Sequence, residues 1–373
     1  MKISTKIKVA HIMPALGKGG AERVVVDLLL NLDRSVYEPI LILFKEGGEW
    51  IAELTAENIP VVILKKTKKI DLFNFWKILK TLKKFRPQIV HTHLGGDFYG
   101  RLAAKIINTP LILSTEHNIN KDENIIFSFF KQLAIKISGK KVVAVSEAVK
   151  KDAISRYNLK SENITVILNG VEVDKFLKMA KNHQNNSKEI NKHQTVFYGT
   201  MGRLSPQKGH LILLETWKNL KNEADCSIAG TGPLKRALIQ KIKEENLENK
   251  VKLIGPVSDP AAFLNSLDAF IFPSIWEGLG IVLLEAGLIG LPIIASEVDG
   301  ITEIINNNNG WLVPAKNPKA LADKIDWLSA NLDNELVIAK TEKLRNDIIN
   351  NFDIKKITEK YQELYQKLLL SEK

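Results

Sequence analysis

The stretch IKVAHIMPALGKGGAERVVVDLLLNL, residues 7–32, contains the structural unit that decides the fold. Its first part, IKVAHIM, is an apolar run rich in β-branched residues, which is typical of a buried strand. A glycine-containing loop, PALGKGGAER, follows. The last part, AERVVVDLLLNL, has apolar residues at three- and four-residue spacing, as in an amphipathic helix. Strand, loop and helix in this order predict one repeat of a parallel sheet covered by helices.

The same order recurs along the chain, and its second series opens with the loop GTMGRLSPQKGH, residues 199–210. Residues 175–195 lose the apolar pattern and are predicted to be a polar linker, while residues 318–371 are predicted to be helical. Beyond the first strand (7–13), the runs predicted as strands are 39–44, 60–64, 88–93, 111–117, 141–146, 164–169, 195–202, 226–230, 251–255, 269–274, 292–296 and 310–314.

This alternation predicts an α/β protein with two Rossmann-like, doubly wound domains that face each other across a cleft. We predict an N-terminal domain at residues 1–169 and a C-terminal domain at residues 170–350. A C-terminal helix at residues 351–373 is expected to return to the N-terminal domain.

Composition places the chain among ordinary globular proteins. Its 373 residues are 45% hydrophobic and 25% charged, a balance that supports about two domains and a large core. The single cysteine, Cys226, excludes an internal disulfide and fits a reducing compartment. No secretory signal and no apolar run long enough for a spanning helix is evident. We therefore expect a cytoplasmic protein, either soluble or peripheral on the inner face of the membrane.

The net charge of +11 is unevenly distributed. Residues 1–168 hold 27 of the 53 Lys and Arg residues but only 16 of the 42 Asp and Glu residues, whereas residues 169–373 hold 26 of each sign. All of the excess positive charge therefore lies in the first half. Such asymmetry favours one domain that faces an anionic surface. Nucleic-acid binding has no aromatic-interleaved or zinc motif to support it.

Two loops could bind phosphate. Arg203 and Lys208 lie between a predicted strand and a helix, where two cations and the helix N-terminus would suit a diphosphate; the alternative is a solvated basic turn. Gly19 and Gly20 permit close approach of the backbone to a phosphate or sugar, or they are turn glycines. Neither loop is a G-x-G-x-x-G or a Walker sequence, so nicotinamide and P-loop readings lose their main support.

The stretch EGLGIVLLEA, residues 277–286, carries two glutamates eight positions apart in an apolar context. Glu277 is predicted to lie in a loop, with a helix starting near Gly280 or Ile281, and Glu285 about one turn inside. Glu285 could accept hydrogen bonds from the vicinal hydroxyls of a ribose. The amides of Gly278, Leu279 and Gly280 could face an anion or a sugar. The alternative is compensation of the helix dipole by both glutamates.

GRLSPQKG (202–209) followed by EGLGIVLLEA resembles the retaining glycosyltransferases of family 4, which have the GT-B fold. Further stretches are similar to that family in family order over nearly the whole chain: GGAER (19–23), HTH (91–93), STEHN (114–118), VSEAVKKD (145–152), NGVEVDKF (169–176), AGTGPLK (229–235) and LPIIASEVDGITEII (291–305). The chain departs from the family after Glu285, where Gly-Leu-Ile-Gly replaces a common Met-Ala-Cys-Gly. That change concerns packing.

The resemblance implies roles for individual residues. Arg203 and Lys208 would hold the diphosphate of a nucleotide-sugar donor, Glu285 the ribose, and Glu277 the transferred sugar with the help of the amides after it. In the first domain, His117 would lie beside the reacting sugar and Gly20 near the donor phosphates. His91 and His93 are expected to be structural; His93 is the better candidate for an acceptor or secondary role because it ends its strand.

The chemistry implied by the resemblance is transfer with retention of anomeric configuration. We expect no cofactor and no metal, because the sequence has no Asp-x-Asp motif and the two cations can stabilise the leaving diphosphate. Since no residue is a convincing covalent nucleophile, attack from the same face is favoured, with the leaving phosphate oxygen taking the acceptor proton.

Two stretches of the first half, residues 65–86 and 125–137, combine lysines with aromatic and aliphatic residues. They are interpreted as basic amphipathic helices that contact an anionic membrane, or as ordinary packed helices with a solvated lysine face. In the resembling family the N-terminal domain takes a glycan or lipid-linked acceptor. Alternative functions are a nucleotide-sugar epimerase of similar fold and a catalytically silent nucleotide-sugar-binding scaffold.

Overall fold

The computed structural model describes residues 6–17, 19–65, 71–119, 124–187 and 195–371. The chain forms two compact units. The first contains Met1–Gly170 together with Ile354–Lys373, and the second contains Val171–Asp353. The chain therefore passes from the first unit to the second and back again.

The first unit is built on a seven-stranded parallel sheet in the order β3-β2-β1-β4-β5-β6-β7. The strands are β1 (Ile7–Ala15), β2 (Tyr37–Glu46), β3 (Val61–Ile63), β4 (Ile89–His93), β5 (Leu111–Glu116), β6 (Val142–Ala144) and β7 (Ile164–Val166). The helices are α1 (Gly20–Asn31), α2 (Ile51–Ala56), α3 (Leu72–Phe85), α4 (Asp97–Ile106), α5 (Ile125–Ser138), α6 (Glu147–Tyr157) and, from the end of the chain, α14 (Ile354–Ser371).

The second unit repeats this plan with a six-stranded parallel sheet in the order β10-β9-β8-β11-β12-β13. Its strands are β8 (Val196–Met201), β9 (Ala224–Ala229), β10 (Val251–Gly255), β11 (Ala269–Phe272), β12 (Ile293–Glu297) and β13 (Trp311–Pro314). Its helices are α7 (Val173–Ser187), α8 (His210–Lys218), α9 (Lys235–Glu244), α10 (Pro260–Asn265), α11 (Ile281–Ile289), α12 (Pro318–Ser329) and α13 (Glu335–Asn351).

Both sheets are stabilised by apolar strand residues that are buried on both faces. In β1, Val9, Ala10, Ile12 and Met13 are all fully buried, as expected for a parallel strand covered by helices on both sides. In the second unit, α8 and α12 supply Leu213, Leu214 and Ile325 to the core beneath β8 and β9. Both units are Rossmann-like, as the sequence predicted.

The linker predicted at residues 175–195 is wrong for its first part. Residues up to Ser187 belong to α7, while residues 188–194 lie outside the described part of the chain. The apolar stripe of this helix is narrow: Val173, Phe176 and Ala180 are buried, while the charged residues between them, Asp174, Lys175 and Lys178, are exposed. The backbone oxygen of Ala180 accepts a hydrogen bond from Asn265 Nδ2 at 2.9 Å, which ties α7 to α10.

Helix α14 belongs to the first unit although it follows the whole second unit in the chain. Its Tyr361 and Tyr365 are buried, and Gln362 bonds to both ends of the α1–β2 connection, accepting from the Asp33 amide at 2.8 Å and from the Tyr37 hydroxyl through its carbonyl at 3.2 Å. The second unit closes where the Val171 amide donates to the Phe352 carbonyl at 2.9 Å.

The two basic stretches form helices α3 and α5, although residues 66–70 of the first stretch lie outside the described residues. Asp71 caps α3 by accepting from the Asn74 amide at 3.0 Å, and Asn124 caps α5 by accepting from the Ile126 amide at 2.9 Å. Among the helices that the structure describes, none combines the length and the apolarity that crossing a membrane requires.

Candidate active site

The strand order of each sheet selects one position for a ligand. In the first unit the order reverses between β1 and β4, and in the second between β8 and β11. Ligands of open parallel sheets bind beyond the carboxyl ends of the strands at such a reversal. The loops that follow β8 and β11 carry Arg203, Lys208 and Glu277, while β4 ends at His93 and His11 lies in the middle of β1. The topology therefore brings the predicted site residues to the reversal point of each unit.

The loop after β8 has one conformation enforced by a glycine. A 3-10 turn, Pro206–Lys208, ends at Gly209, whose φ is +67°, and helix α8 begins at the next residue. A Cβ at Gly209 would lie 2.0 Å from the carbonyl oxygen of Pro273, so only glycine fits here. The close approach holds the loop against the end of β11. The Ile275 amide strengthens this contact by donating to the Gln207 carbonyl at 2.7 Å.

Lys208 and Glu277 are in direct contact. Lys208 Nζ lies 2.6 Å from Glu277 Oε1 and 4.9 Å from the centre of the Phe272 ring. The same carboxylate accepts from Ser274 Oγ at 2.8 Å, and Gln207 Nε2 lies 3.4 Å from its other oxygen. Glu277 is 4% exposed, and a carboxylate at that depth requires such partners. Its orientation is therefore fixed before any ligand arrives.

The backbone around Glu277 is equally constrained. A Cβ at Gly300, whose φ is +88°, would lie 2.5 Å from the carbonyl oxygens of both Glu277 and Gly278. Gly278, Leu279 and Gly280 are buried and lead into α11, which begins at Ile281. Glu285 is half-buried in the second turn of α11, as the spacing predicted.

Arg203 has a different environment from Lys208. It lies on the same loop, but its side chain is exposed. The loop itself is anchored on both sides of it, because the Gly202 amide donates to the Ala229 carbonyl at 3.0 Å and the Leu204 amide donates to the Thr231 carbonyl at 2.9 Å. A fixed backbone with an exposed guanidinium suits the capture of an anion from solution.

In the first unit, Gly19 and Gly20 form the start of α1. Gly19 is the N-cap and Gly20 is an exposed first residue, and the carboxylate of Glu22 folds back over Gly19 at this first turn. Arg23, one turn further on, is held by Asp27 and by Glu53 Oε2 at 2.7 Å, and these carboxylates raise its pKa despite its partial burial. Arg23 is thus a structural residue, and the glycines carry the exposed end of the helix.

Three histidines of the first unit are joined end to end. His11 Nδ1 lies 3.0 Å from His93 Nε2, and His93 Nδ1 lies 3.2 Å from His117 Nε2. They come from β1, the end of β4 and the residue after β5. All three are at least 95% buried. Burial lowers their pKa values, to about 3 for His11, to about 4 for His117 and well below the ordinary value for His93, so each ring is neutral at neutral pH.

His91 is satisfied separately. Its Nδ1 lies 2.6 Å from the Tyr365 hydroxyl and its Nε2 lies 2.7 Å from Thr115 Oγ1. It therefore connects β4 to α14 and to β5. The geometry supports the expectation of a structural role for this residue.

A buried lysine fixes the end of β5 beside His117. Lys131 Nζ lies 2.9 Å from Asp97 Oδ2 and 2.7 Å from Glu116 Oε1. Burial disfavours its charged form, but the two carboxylates outweigh that effect and hold its pKa well above the ordinary value. The ion triad joins α4, α5 and β5, and it immobilises the residue that precedes His117.

His11, His91 and His93 lie close enough together to be considered as a metal site. The observed hydrogen bonds argue against it, because both nitrogens of His91 and both nitrogens of His93 are engaged, which leaves His11 Nε2 as the one ring nitrogen of the cluster without a partner among the described residues. Metal ligands converge on one point.

Comparison with known proteins gives the family. A model described as "Glycosyltransferase Family 4" matches residues 18–175, and one described as "Glycosyl transferases group 1" matches residues 180–351. Together they cover both compact units. The chain belongs to glycosyltransferase family 4. This confirms the resemblance inferred from the motifs.

Relatives of this glycosyltransferase share most of its length. It is 28% identical over 382 residues, 97% of each chain, to the UDP-Gal:alpha-D-GlcNAc-diphosphoundecaprenol alpha-1,3-galactosyltransferase of Escherichia coli. It is 27% identical to the capsular polysaccharide biosynthesis glycosyltransferase CapM of Staphylococcus aureus, with 86% of this chain and 88% of that protein aligned.

Solved structures agree on the fold. A glycosyltransferase from Rickettsia africae ESF-5 superposes with a TM-score of 0.81 at 29% identity, over 98% of this chain and 99% of that one. HepE from Anabaena, in complex with UDP and glucose, gives a TM-score of 0.84 at 21% identity, over 97% and 100%. Structural neighbours of the family 4 protein are thus GT-B glycosyltransferases, as predicted.

Sequence reasoning missed four residues of this glycosyltransferase's candidate site: Gln207, Ser274, Gly300 and His11. Ser274 lies three residues before Glu277, a spacing that could have suggested a contact. His11 could have been found from the sheet order, since the parallel register sets it opposite His91. Gly300 has no local signal, because its constraint is a backbone from a distant segment.

Proposed function

We propose that this protein transfers a sugar, with retention of configuration, from a nucleoside-diphosphate sugar to a glycan or lipid-linked acceptor in surface polysaccharide synthesis. The observation that carries the proposal is the preset Lys208–Glu277 contact beside an exposed Arg203, all at the strand reversal of the second unit. Two cations and a fixed carboxylate lie beyond the carboxyl ends of the strands. They suit a substrate in which an anionic leaving group adjoins a polyol, since the cations can bind the anion and the carboxylate can accept hydrogen bonds from the hydroxyls.

We propose the following roles, which combine this geometry with those that the family resemblance implies. Arg203 and Lys208 stabilise charge that builds on the diphosphate as its bond to the anomeric carbon breaks, each contributing about 1.5–3 kcal/mol through charge-assisted hydrogen bonds. Glu277, held by Ser274 and Lys208, accepts hydrogen bonds from the transferred sugar. Glu285 accepts from the ribose hydroxyls. The acceptor hydroxyl attacks the same face, and its proton passes to the departing phosphate oxygen.

A uridine diphosphate sugar is the first donor to test, and a sugar-diphospho-lipid the first acceptor. Support comes from the names of two relatives, one that uses UDP-Gal on a diphosphoundecaprenol-linked sugar and one crystallised with UDP and glucose. We propose that catalysis is independent of a metal, with the two cations in its place.

The test is a thermal-shift panel of UDP-, GDP- and ADP-sugars, followed by transfer assays with the best binder in the presence and absence of EDTA. Arg203→Ala is the decisive variant, because its exposed side chain makes no contribution to the core and its loss should lower turnover while leaving the melting temperature unchanged. Lys252→Ala, another exposed cation of the second unit, is the matched control. Wild-type turnover of Arg203→Ala on the true acceptor would refute the assignment.

Two rival functions remain distinguishable. A nucleotide-sugar epimerase would isomerise the donor when no acceptor is present, so incubation of the donor alone separates epimerisation from transfer. A catalytically silent scaffold would bind the donor but turn over neither substrate. The presence of the whole ordered set, Arg203, Lys208, Glu277 and Glu285, supports transfer over both.

We further propose that the first unit acts peripherally on the anionic cytoplasmic face of a membrane through helices α3 and α5. Large apolar side chains project from both helices: Leu72, Phe73 and Trp76 are 70%, 71% and 63% exposed on α3, and Ile125 and Ile126 are 85% and 65% exposed on α5. Exposed lysines accompany them: Lys80, Lys83 and Lys84 on α3, and Lys136 on α5. This combination suits insertion below the headgroups of anionic lipids.

Aromatic contacts, which pass through the buried Tyr99, connect α3 to α5 by way of α4. Ring contacts run from Trp76 to Phe75, on to Tyr99 and Phe98 of α4, and then to Phe130 of α5, with centroid separations between 5.3 and 6.3 Å. Liposome flotation tests the proposal: Trp76→Ser should weaken binding to anionic vesicles, while Leu336→Ser, an exposed leucine of the second unit, should not. Equal and negligible binding of the wild type to neutral and anionic vesicles would remove the membrane assignment.

A further inference from the structure

Two buried nitrogens at opposite ends of the histidine series have no protein partner among the described residues. They are His11 Nε2 and His117 Nδ1. Every other nitrogen of His11, His93 and His117 is used in the two ring-to-ring contacts. A buried polar atom without a partner costs free energy, so the two ends are where the series can respond to something outside it.

The ring geometry is that of hydrogen bonds in the ring planes. The His11 and His93 ring centres are 5.2 Å apart and their bonded nitrogens 3.0 Å apart, with the planes within 7° of each other. For His93 and His117 the values are 5.5 Å and 3.2 Å. The differences of 2.2 and 2.3 Å are about two ring radii, which means that the nitrogens lie on the line between the ring centres. Linear contacts are the strong form of hydrogen bond.

Neutral rings make the series directional. Each neutral imidazole has one N–H and one bare nitrogen, and burial keeps all three rings neutral. If His11 donates from Nδ1, then His93 must donate from Nδ1 and His117 must carry its proton on Nδ1. If the series runs the other way, His117 donates from Nε2, His93 donates from Nε2, and His11 carries its proton on Nε2. Mixed arrangements place two N–H groups or two lone pairs face to face.

We propose that His93 and His11 are positioning residues that set the tautomer of His117 through this three-imidazole chain. Because Nε2 of His117 is engaged with His93, its buried Nδ1 is the ring nitrogen left for a substrate hydroxyl. A substrate that accepts from Nδ1 aligns the chain in one direction, and one that donates to Nδ1 aligns it in the other. The inference rests on the proposed function in treating His117 as a substrate-facing residue.

The test measures tautomers directly. In protein labelled with ¹⁵N-histidine at neutral pH, the fraction of each ring protonated on Nδ1 should be the same for His11, His93 and His117, and the three fractions should move together when a nucleotide sugar is added. His93→Phe keeps a ring in place and should uncouple His117 from His11. His11→Phe breaks only the far contact and should still change the His117 fraction.

Kinetics give the second measurement. His11→Phe should lower kcat by about tenfold to a hundredfold, the usual effect of removing a partner that orients a functional histidine, with little change in the KM of the donor. Tyr365→Phe is the matched control, since it removes the buried contact to His91 and leaves the contacts among His11, His93 and His117 in place. It should leave the His117 tautomer and kcat unchanged.

The outcomes separate the two claims. Two results would refute the hydrogen-bonded series of histidines: unequal Nδ1-protonated fractions in the wild type, or an unchanged His117 spectrum in His11→Phe. Stoichiometric Zn²⁺ binding that shifts the resonances of His11, His91 and His93 would also overturn it, because the cluster would then be a metal site. Failure of the wild type to bind or turn over any nucleotide sugar would refute the proposed function. Even then, whether the three Nδ1-protonated fractions are equal would show whether the three histidines form one hydrogen-bonded series.

Discussion

Replacing Lys208 by methionine tests the centre of the candidate site. Methionine keeps the length and apolar contacts of the side chain but leaves the Glu277 carboxylate, 4% exposed, without its cation. Breaking a fully buried ion pair costs about 3–5 kcal/mol. The Lys208 side chain is 18% exposed, and Ser274 and Gln207 still donate to the carboxylate. We therefore expect a loss of about 2 kcal/mol in the stability of the second unit.

A double-mutant cycle isolates the pair. Glu277→Gln alone leaves a lysine that can reach water, so it should cost about 1 kcal/mol, and the double variant should be little worse than Glu277→Gln, because the unpaired charge is gone. The coupling energy should thus be about 2 kcal/mol, within the usual range for residues in contact. Turnover should stay low in the double variant, because stability is restored but the diphosphate contact is not.

Hydrogen exchange at the amides of α8 and α11 is the appropriate assay, since it measures opening of the second unit without averaging over both units. Lys250→Met is the matched control, because Lys250 pairs with Glu223 at 3.1 Å on the surface and that pair should be worth less than about 1 kcal/mol. An additive cycle, with Lys208→Met no worse than Lys250→Met, would refute the buried pair.

Three other predictions concern the rest of the molecule. The pKa values of His11 and His117, about 3 and about 4, lie below the ordinary 6.5, so on acidification the unfolded chain takes up protons before the folded one. The free energy of unfolding should therefore fall by about 1–2 kcal/mol per histidine between pH 7 and pH 5. Urea titrations measure this change, and a rise in the free energy of unfolding on acidification would contradict the buried neutral rings. Gly300→Ala should lower stability by about 1–3 kcal/mol through backbone strain and weaken donor binding, and an unchanged melting temperature and donor affinity would count against the close approach to Glu277. The thiol of Cys226 is buried and its pKa is raised by that burial, so it should react with a thiol reagent only as the chain unfolds; rapid reaction in native buffer would show the assignment of its environment to be wrong.

The strands were predictable because parallel strands buried on both faces are short apolar runs bounded by turns. All thirteen strands in the described part of the chain lie within or overlap the runs that the sequence predicted, although their ends differ by a few residues. Helix α7 was missed because its buried stripe is short, with Val173, Phe176 and Ala180, and its abundant Asn, Gln and Lys residues are more typical of a loop.

The candidate site was predictable where motif residues are adjacent in the chain and not where the sheet order joins distant segments. Lys208 and Glu277 were singled out separately, but no pattern predicted that one would neutralise the other at 2.6 Å. His117 was found from its strand-end motif. The chain that reaches from it to His11 depends on β1, β4 and β5 being neighbours, and that order is a property of the folded sheet.

The placement of α14 has a consequence for synthesis. Tyr365 supplies a partner to His91 in the middle of the first sheet, yet the ribosome makes it after every residue of the second unit. The seven-stranded core therefore lacks α14 while residues 171–353 are synthesised. Throughout that interval the nascent polypeptide leaves exposed the groove that α14 later fills. Truncation just before Ile354 should accordingly destabilise the first unit, which is translated earliest, and leave the stability of the second unit unchanged.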